Sequence, residues 1–285
     1  MNKLERPAVS EQGRFPFGQP NLERHMRLPA SGPAAALVVG VYPSAFHVAW
    51  SPPPELDTRP AELRHRPFIA SLAVDVEPIV FWNGNEPDPD DLLDQWKQSV
   101  RFRDSWGSVR PGFNGPSGSG LVSSYLEPLG LSVDEVARTD VVPWFFIKGG
   151  AVSQTSAIER LQQFANELGI DGGDLPARPT VKRLVKLACA SPRRESLRAE
   201  LVGADAPLVI TLGQEALDAV RGVADHVAGV PLKLRNDDTY GREGSLEVDG
   251  QHLRLIPLAH PGLIRQSAKN SPWGIAHTEW ARRMQ

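Results

Sequence analysis

Two side chains that can do chemistry stand at the ends of apolar segments of this 285-residue chain. His260 follows the run 253–258, and Asp140 lies within the segment 136–142. A histidine at the end of a strand can donate a hydrogen bond to an oxygen on which negative charge develops. A carboxylate only accepts hydrogen bonds, whereas a protonated carboxyl group also donates one. Together, the two residues indicate a site that stabilises charge on a bound, hydrogen-bonding ligand.

Two segments that contain glycine supply further candidates. The segment 38–44 is an apolar run that reaches Gly40 and then continues through Tyr42 to Ser44. The segment 110–118 carries Phe113 among glycines and prolines, which is typical of a loop. An aromatic face in such a loop can stack on a planar ring of a ligand, and backbone N–H groups before a helix can bind oxygen atoms of a ligand.

The elements that must position these residues alternate between strands and helices. We predict strands at 34–40, 136–142, 207–212, 232–234, 245–255 and 253–258, and helices at 89–100, 118–130, 215–223 and 273–283. This alternation predicts a three-layer α/β/α fold with a central, mainly parallel sheet. Ligands bind at the carboxyl ends of strands in such sheets. We therefore expect the loops at 40–44, 140–143, 213–214 and 260–265 to meet at one edge.

The chain is predicted to form a single domain over residues 1–285, with two additions. Residues 1–33 are polar and rich in Pro, Gly and Arg, so we predict an irregular N-terminal arm. Residues 46–110 do not alternate strand with helix, and we predict a β-rich insertion there.

Composition limits the class of protein without defining it. The formal net charge of −3 does not exclude DNA binding, because a local basic surface is sufficient. The single cysteine, Cys189, leaves no ligand set for an iron–sulfur cluster. No secretory signal is apparent, and no window is apolar enough to cross a membrane, so a cytoplasmic protein is expected.

Five segments resemble, in order, the motifs of the uracil-DNA glycosylase superfamily. Val-Val-Gly-Val-Tyr-Pro-Ser at 38–44 is similar to the first motif, a strand followed by Gly-x-x-Pro, and Arg-Pro-Gly-Phe-Asn-Gly-Pro-Ser-Gly at 110–118 resembles the Phe-bearing glycine-rich segment. Ala-Arg-Thr-Asp-Val-Val-Pro at 137–143 resembles a strand that ends in Thr-Asn-Val-Val. Val-Ile-Thr-Leu-Gly-Gln-Glu-Ala at 209–216 and the His-Pro-Gly-Leu of 255–263 complete the set. The insertion lies outside the match.

The resemblance implies a uracil-DNA glycosylase-like fold and an enzyme that flips a base out of DNA and hydrolyses its N-glycosidic bond. Bond cleavage leaves negative charge on the base, and His260 would donate a hydrogen bond to its O2 atom. Phe113 would stack on the flipped base. The other expected base-binding residues are Asp140, Tyr42, Gly40 and Ser44.

The resemblance also implies a DNA-binding loop after His260. Its expected DNA contacts are Pro261, Gly262, Leu263, Ile264 and Arg265. Leu263 and Ile264 would form an apolar wedge that fills the gap left by the base, and Arg265 would contact phosphate. DNA is the implied partner, and no cofactor or metal ion is implied.

Two departures from the family pattern bear on the substrate. In uracil-removing members, the residue that matches Asp140 is usually Asn, whose amide can donate to uracil O4 and accept from N3–H. A carboxyl group instead accepts from a cytosine amino group and, when burial keeps it protonated, can donate to N3. The departure favours a modified cytosine, such as those of phage DNA, as the substrate of an antiviral defence enzyme.

The second departure concerns water activation. Many family members carry Asp, Asn or Glu inside Gly-x-x-Pro, where this chain has Val41 and Tyr42. The insertion offers substitutes, of which we favour Asn85 or Asp75 as catalytic residues. Glu77, Asn83 and Glu86 are the remaining candidates.

Two alternatives remain open. One is a glycosylase for uracil, in which Asp140 serves as a hydrogen-bonding residue. The other is a catalytically inactive DNA-binding protein on the same fold, which the missing acid in the first motif favours.

Overall fold

The computed structural model describes residues 24–56, 62, 70–146, 179–266 and 270–285. Residues 1–23 of the predicted arm and residues 57–61 and 63–69 of the predicted insertion lie outside this set. In the described part of the arm, Arg27 pairs with Arg138 through an isolated antiparallel bridge.

The protein has a mixed α/β fold built on a six-stranded, mainly parallel sheet. Its strands are β1 (Ala36–Gly40), β5 (Val136–Asp140), β6 (Leu208–Leu212), β7 (His226–Ala228), β8 (Gly244–Val248) and β9 (Gln251–Leu258). They run side by side in the order β5-β1-β6-β9-β8-β7. The first four are parallel neighbours, and β8 and β7 continue the sheet with antiparallel pairing. This confirms the predicted α/β class.

The described helices number seven. They are α1 (Pro89–Val100), α2 (Pro116–Leu121), α3 (Val181–Ala188), α4 (Arg193–Gly203), α5 (Gln214–Val223), α6 (Pro261–Gln266) and α7 (Pro272–Met284). Helical backbone continues from α2 through residues 122–129 as a π turn and a 3-10 turn. None of the helices in the described residues is long and apolar enough to cross a membrane.

Helices cover both faces of the sheet, because its central strands are apolar on both sides. Leu37 and Val39 pack with residues of α3, α4 and α5 in one buried cluster. Ala36 and Val38, which point the opposite way, pack with residues of α7 and of the helical stretch 121–126 in a second cluster. Side chains alternate between the two faces of a sheet along a strand, so a strand without polar residues must be covered on both faces.

The insertion has a core of its own. Strands β2 (Ala45–Ser51), β3 (Ala70–Val76) and β4 (Ser108–Pro111) form an antiparallel sheet in the order β3-β2-β4. Helix α1 packs on it through a cluster rich in tryptophan: Trp50, Trp82, Trp96 and Trp106. Because only four residues separate the end of β1 from the start of β2, this unit lies next to the first motif.

Two strand predictions are wrong in detail. Residues 232–234 do not form a strand; the antiparallel edge is β7, a few residues earlier. The segment 245–255 is two strands joined at Asp249-Gly250, where both residues have positive φ (48° and 77°). Asp-Gly between two β segments is a strong hairpin signal, because a type I′ turn needs positive φ at both positions.

Candidate active site

Loops from four parallel strands leave the same edge of the sheet, as the sequence predicted. In the strand register, Gly40 lies beside Asp140, and Leu212 lies beside Leu258. Gly213, which directly follows β6, donates its N–H to the carbonyl of Leu258 at 2.8 Å. A Cβ atom placed on Gly213 would lie 3.6 Å from the Cβ of His260. The motif loops therefore converge around a common point.

The loop after β9 fixes the histidine ring. The backbone N–H of Gly262 donates to Nδ1 of His260 at 3.0 Å, and that of Leu263 donates to the His260 carbonyl at 2.8 Å. Because Nδ1 accepts a hydrogen bond, the neutral ring carries its proton on Nε2. His260 is half-buried at this position and presents a hydrogen-bond donor at Nε2.

A buried chain of hydrogen bonds holds the residue before this histidine. The hydroxyl of Tyr125 donates to the carbonyl of Ala259 at 2.8 Å, and the N–H of Ala259 donates to the hydroxyl of Tyr240 at 3.1 Å. The Tyr240 hydroxyl lies 2.8 Å from Nδ1 of His277, whose Nε2 lies 2.9 Å from the carbonyl of Ser124. Burial lowers the pKa of His277, which favours the neutral ring that this chain requires. This positioning role was not predicted from the sequence.

Asp140 ends β5 as a buried carboxyl group. It is 3% exposed, and its Oδ2 atom finds no hydrogen-bond partner within the described part of the chain. Its Oδ1 atom lies so close to Gly40 that a Cβ atom on that glycine would be 2.2 Å away. Burial raises the pKa of Asp140 well above its ordinary value, the charge of Glu77 raises it further, and Arg193 opposes both. This shift favours the protonated form of the carboxyl group, which can donate a hydrogen bond.

The backbone around Asp140 is clamped, in contrast to its side chain. Arg193 of α4 donates to the carbonyls of Asp140 at 2.7 Å and Val141 at 3.0 Å. Its guanidinium also pairs with Glu200 at 2.5 Å, and Glu200 accepts a hydrogen bond from the hydroxyl of Thr139 at 2.6 Å. This buried ion pair fixes the end of β5 to α4.

Glu77 joins the insertion to the loop after β1. It is 4% exposed, and its carboxyl group accepts hydrogen bonds from the backbone N–H groups of Ser44 at 3.0 Å, Phe81 at 3.3 Å and Trp82 at 3.3 Å. Its own N–H donates to the carbonyl of Ser44 at 2.9 Å. Burial raises the pKa of Glu77 to about 7. The carboxyl group of Glu77 therefore reaches the loop of the first motif.

The two favoured insertion residues lie elsewhere. Asn85 is exposed, and its backbone N–H donates to the side chain of Asn83 at 2.9 Å. Asp75 is half-buried on β3, where its carboxyl group accepts the N–H of Val76 at 2.6 Å. Burial raises the pKa of Asp75. The atoms nearest to the open face of Gly40 belong instead to Asp140 and Phe81, so the catalytic roles of Asn85 and Asp75 stay predictions.

The predicted aromatic residues are separated. Tyr42 is half-buried and packs edge-on against Phe146, with ring centroids 5.7 Å apart. Phe113 is 70% exposed, and the guanidinium of Arg265 lies 5.3 Å from the centre of its ring. The aromatic ring in contact with Gly40 comes from Phe81, which the sequence did not single out. No local sequence signal marks it, because it belongs to the unmatched insertion.

The predicted DNA-binding residues lie on α6. Pro261 is buried against Gly120, and Ile264 packs on the cluster that contains α7. Leu263 is 40% exposed, and Arg265 is exposed beside Phe113. Arg265 and Phe113 thus form a cationic and aromatic patch, and Leu263 is exposed on the same short helix as Arg265, directly after His260.

Comparisons with known proteins do not identify the chain: no family model and no curated protein matches it. In the residues that the structure describes, no group of three or more His, Cys, Asp or Glu side chains is arranged to hold a metal ion.

Proposed function

We propose that the protein is a DNA glycosylase that flips a base from DNA, hydrolyses its N-glycosidic bond and leaves an abasic site. The observation that carries this proposal is the buried carboxyl group of Asp140 at the shared edge of four parallel strands. Among the described residues, its Oδ2 atom has no partner. A buried polar atom without a partner costs about 1–3 kcal/mol, and a ligand that completes the hydrogen bond removes that cost. The five motifs that resemble the uracil-DNA glycosylase superfamily, and the placement of four of them at this edge, support the same proposal and a fold of that type.

His260 is the proposed electrophile. When the glycosidic bond breaks, electrons move onto the base, and charge develops on its O2 atom. A neutral imidazole with its proton on Nε2 donates a hydrogen bond to that oxygen without carrying charge into the site. The hydrogen bond from Gly262 to Nδ1 at 3.0 Å supports this tautomer.

Asp140 is the proposed base reader. As a protonated acid it donates to N3 of a cytosine-type base and accepts from the amino group at position 4. Cytosine is a poorer leaving group than uracil. Donation of a hydrogen bond to N3 offsets this, because it stabilises the negative charge that develops on the departing base. This supports a modified cytosine as the substrate and an antiviral defence role against phages whose DNA contains such bases.

A protonated acid also matches the edge of uracil, which favours one alternative. The hydroxyl of the acid can donate to O4, while its carbonyl oxygen accepts from N3–H. Asp140 alone therefore does not separate the two bases, and the direct comparison of substrates below decides between them.

The patch on α6 is the proposed DNA contact. Leu263 is 40% exposed and is the apolar side chain placed to fill the space of a flipped base. Arg265 supplies a cation for phosphate, and the exposed ring of Phe113 supplies a face for a base. Since Val41 and Tyr42 leave the first motif without an acid, an inactive DNA-binding protein is the other candidate function.

The test uses duplexes of one sequence with a single cytosine, 5-hydroxymethylcytosine, glucosylated 5-hydroxymethylcytosine or uracil at the same position. Abasic sites are counted after alkaline cleavage. We expect cleavage at one or both modified cytosines, and a loss of about 10²–10³-fold in rate for His260→Ala. His252→Ala, which changes an exposed histidine on β9, is the matched control.

Each other result rejects part of the proposal. Cleavage at uracil alone assigns the protein to the uracil-cutting alternative. DNA binding without abasic sites from any duplex, with wild-type protein in excess, favours the inactive binding protein.

A further inference from the structure

The ring of Phe81 and the carboxyl group of Asp140 approach the same point above Gly40. A Cβ atom built on Gly40 would lie 2.2 Å from Oδ1 of Asp140, and 2.8 and 2.9 Å from Cζ and Cε2 of Phe81. Any side chain at position 40 would collide with both groups, so glycine here serves close packing. The edge of an aromatic ring therefore lies directly beside the proposed base reader.

Phe81 is held in an unusual backbone conformation. Its φ is 56°, in the left-handed region, which costs a non-glycine residue on the order of 1–3 kcal/mol. Such strain persists only where the surroundings enforce it. Strained residues are enriched in ligand sites, where they fix a side chain in a required place.

Three contacts enforce this conformation. The N–H of Phe81 donates to Oε1 of Glu77 at 3.3 Å, and its carbonyl accepts from Nη1 of Arg138 at 3.5 Å. The same carbonyl packs so tightly on α2 that a Cβ atom at Gly118 would lie 2.4 Å from it. Groups from three separate segments thus fix the backbone of Phe81, and the residue as a whole is 6% exposed.

We propose that Phe81 is a wall of the base site and excludes bases that carry a substituent on the exocyclic group at position 4. This inference rests on the proposed function, in which the edge formed by N3 and position 4 pairs with Asp140. With Oδ2 facing N3 and Oδ1 accepting from the amino group at position 4, a methyl group on the amino nitrogen would point toward the ring edge that lies beside Oδ1. A substituent at C5 leaves the base on a different bond and is not excluded by this contact. The substrate class is therefore cytosines modified at C5 with an unsubstituted amino group.

The proposal also explains how selectivity arises where hydrogen bonding is ambiguous. The acid of Asp140 pairs with two kinds of base edge, but a fixed ring beside it distinguishes bases by shape. One additional methyl group against a rigid apolar wall costs about tenfold or more in binding. The wall comes from the insertion, so the feature that defines the substrate class lies outside the family-like motifs.

The test measures binding of free bases by isothermal titration calorimetry, which requires no DNA cleavage. Cytosine, 5-hydroxymethylcytosine and N4-methylcytosine are titrated into wild-type protein, Phe81→Leu and Phe102→Leu. We expect wild type to bind 5-hydroxymethylcytosine at least about tenfold more tightly than N4-methylcytosine. Phe81→Leu is expected to bring this ratio close to one.

Two further variants protect the interpretation. Phe102→Leu makes the same substitution in the insertion core, where Phe102 packs against Trp96 and Trp106, and is expected to leave the ratio unchanged. Phe81→Gly also removes the ring, and glycine tolerates the positive φ without strain. It therefore repeats the test if the leucine variant does not fold.

The outcomes separate this inference from the proposed function. Three results would reject the proposal that Phe81 is a wall of the base site. They are equal binding of both modified bases by wild type, an unchanged ratio in folded Phe81→Leu or Phe81→Gly, and no binding of any base. The same proteins are assayed for abasic sites in 5-hydroxymethylcytosine DNA. Selective binding without abasic sites rejects the glycosylase while the wall stands, whereas cleavage with an unchanged binding ratio rejects the wall alone.

Discussion

The two sides of the sheet edge differ in how their polar groups are paired. On the His260 side, tyrosine hydroxyls satisfy both backbone groups of Ala259, and the imidazole of His277 extends the chain to Ser124. On the Asp140 side, burial and the charge of Glu77 raise the pKa of the Asp140 carboxyl group, and in the part of the molecule described here one oxygen of Asp140 has no partner. The hydrogen bonds on the first side fix the backbone that carries His260. On the second side, the described residues leave one hydrogen-bonding atom of Asp140 without a partner.

Under the proposed function, this contrast corresponds to different roles for the two sides. A donor that acts on developing charge must not reorganise during the reaction, which requires the paired network behind His260. A base reader gains affinity when the ligand supplies a missing partner, which requires an atom left unpaired in the free protein. The unpaired oxygen of Asp140 thus lowers the free energy of unfolding, whereas the paired groups behind His260 do not.

The largest expected effect tests the clamp behind Asp140. Arg193→Met leaves Glu200 without its partner and removes donors from the carbonyls of Asp140 and Val141. Breaking a buried ion pair in this way is expected to cost about 3–5 kcal/mol in the free energy of unfolding, measured with urea at pH 7.

Arg198→Met on the same helix is the control. Arg198 pairs with Asp225 and Asp249, whose side chains are 46% and 53% exposed, so the expected loss is about 1 kcal/mol or less. Equal losses in the two variants would show that the clamp behind Asp140 is no stronger than a surface pair.

A smaller effect of opposite sign is expected at Asp140 itself. Because its folded-state pKa is raised, the folded protein binds more protons than the unfolded chain at intermediate pH. Its contribution to stability is complete below the unfolded pKa and is lost as pH rises through the folded pKa. Asp140→Asn does not titrate, so its advantage over wild type should grow from pH 5 to pH 8 and reach about 1–3 kcal/mol.

Urea unfolding at several pH values measures this difference. Glu77, with a pKa of about 7, titrates in both proteins and largely cancels. Asp238→Asn changes an exposed carboxyl group and should show no growing advantage. An Asp140→Asn variant that is less stable than wild type throughout the range would mean that the carboxyl group makes a bond that asparagine cannot replace.

The sequence was most informative where the signals are local. Helix α1 was predicted with its observed ends, because Pro89, Asp90 and Asp91 in the first turn mark its start. In the structure, Asp88 also caps it by accepting from the N–H of Asp90. The shared edge was predicted because continuous apolar runs mark strands that are buried on both faces, and their carboxyl ends meet in a parallel sheet.

The remaining features depend on contacts between distant segments. Glu77 and Phe81 reach Ser44 and Gly40 because the insertion folds back on the first motif, and nothing in their immediate sequence encodes that return. The positive φ of Phe81 likewise cannot be predicted from the sequence, because the groups around the residue impose this conformation. The Asp-Gly turn between β8 and β9 has a clear sequence signal, but the alternating pattern over 245–255 led to the prediction of one long strand.

The smallest expected effect tests the paired side of the comparison. Tyr125→Phe removes the hydrogen bond to the carbonyl of Ala259, while Tyr240 still holds the N–H of that residue. A carbonyl that loses one donor is tolerated better than an orphaned N–H, so the expected loss of unfolding free energy is about 1 kcal/mol. Because Ala259 precedes His260, kcat for base release should fall severalfold, whereas KM should not change, since the Asp140 side is untouched. A rise in KM with constant kcat would contradict the proposed division of roles, because the tyrosine network would then support base binding and not the proposed electrophile, His260.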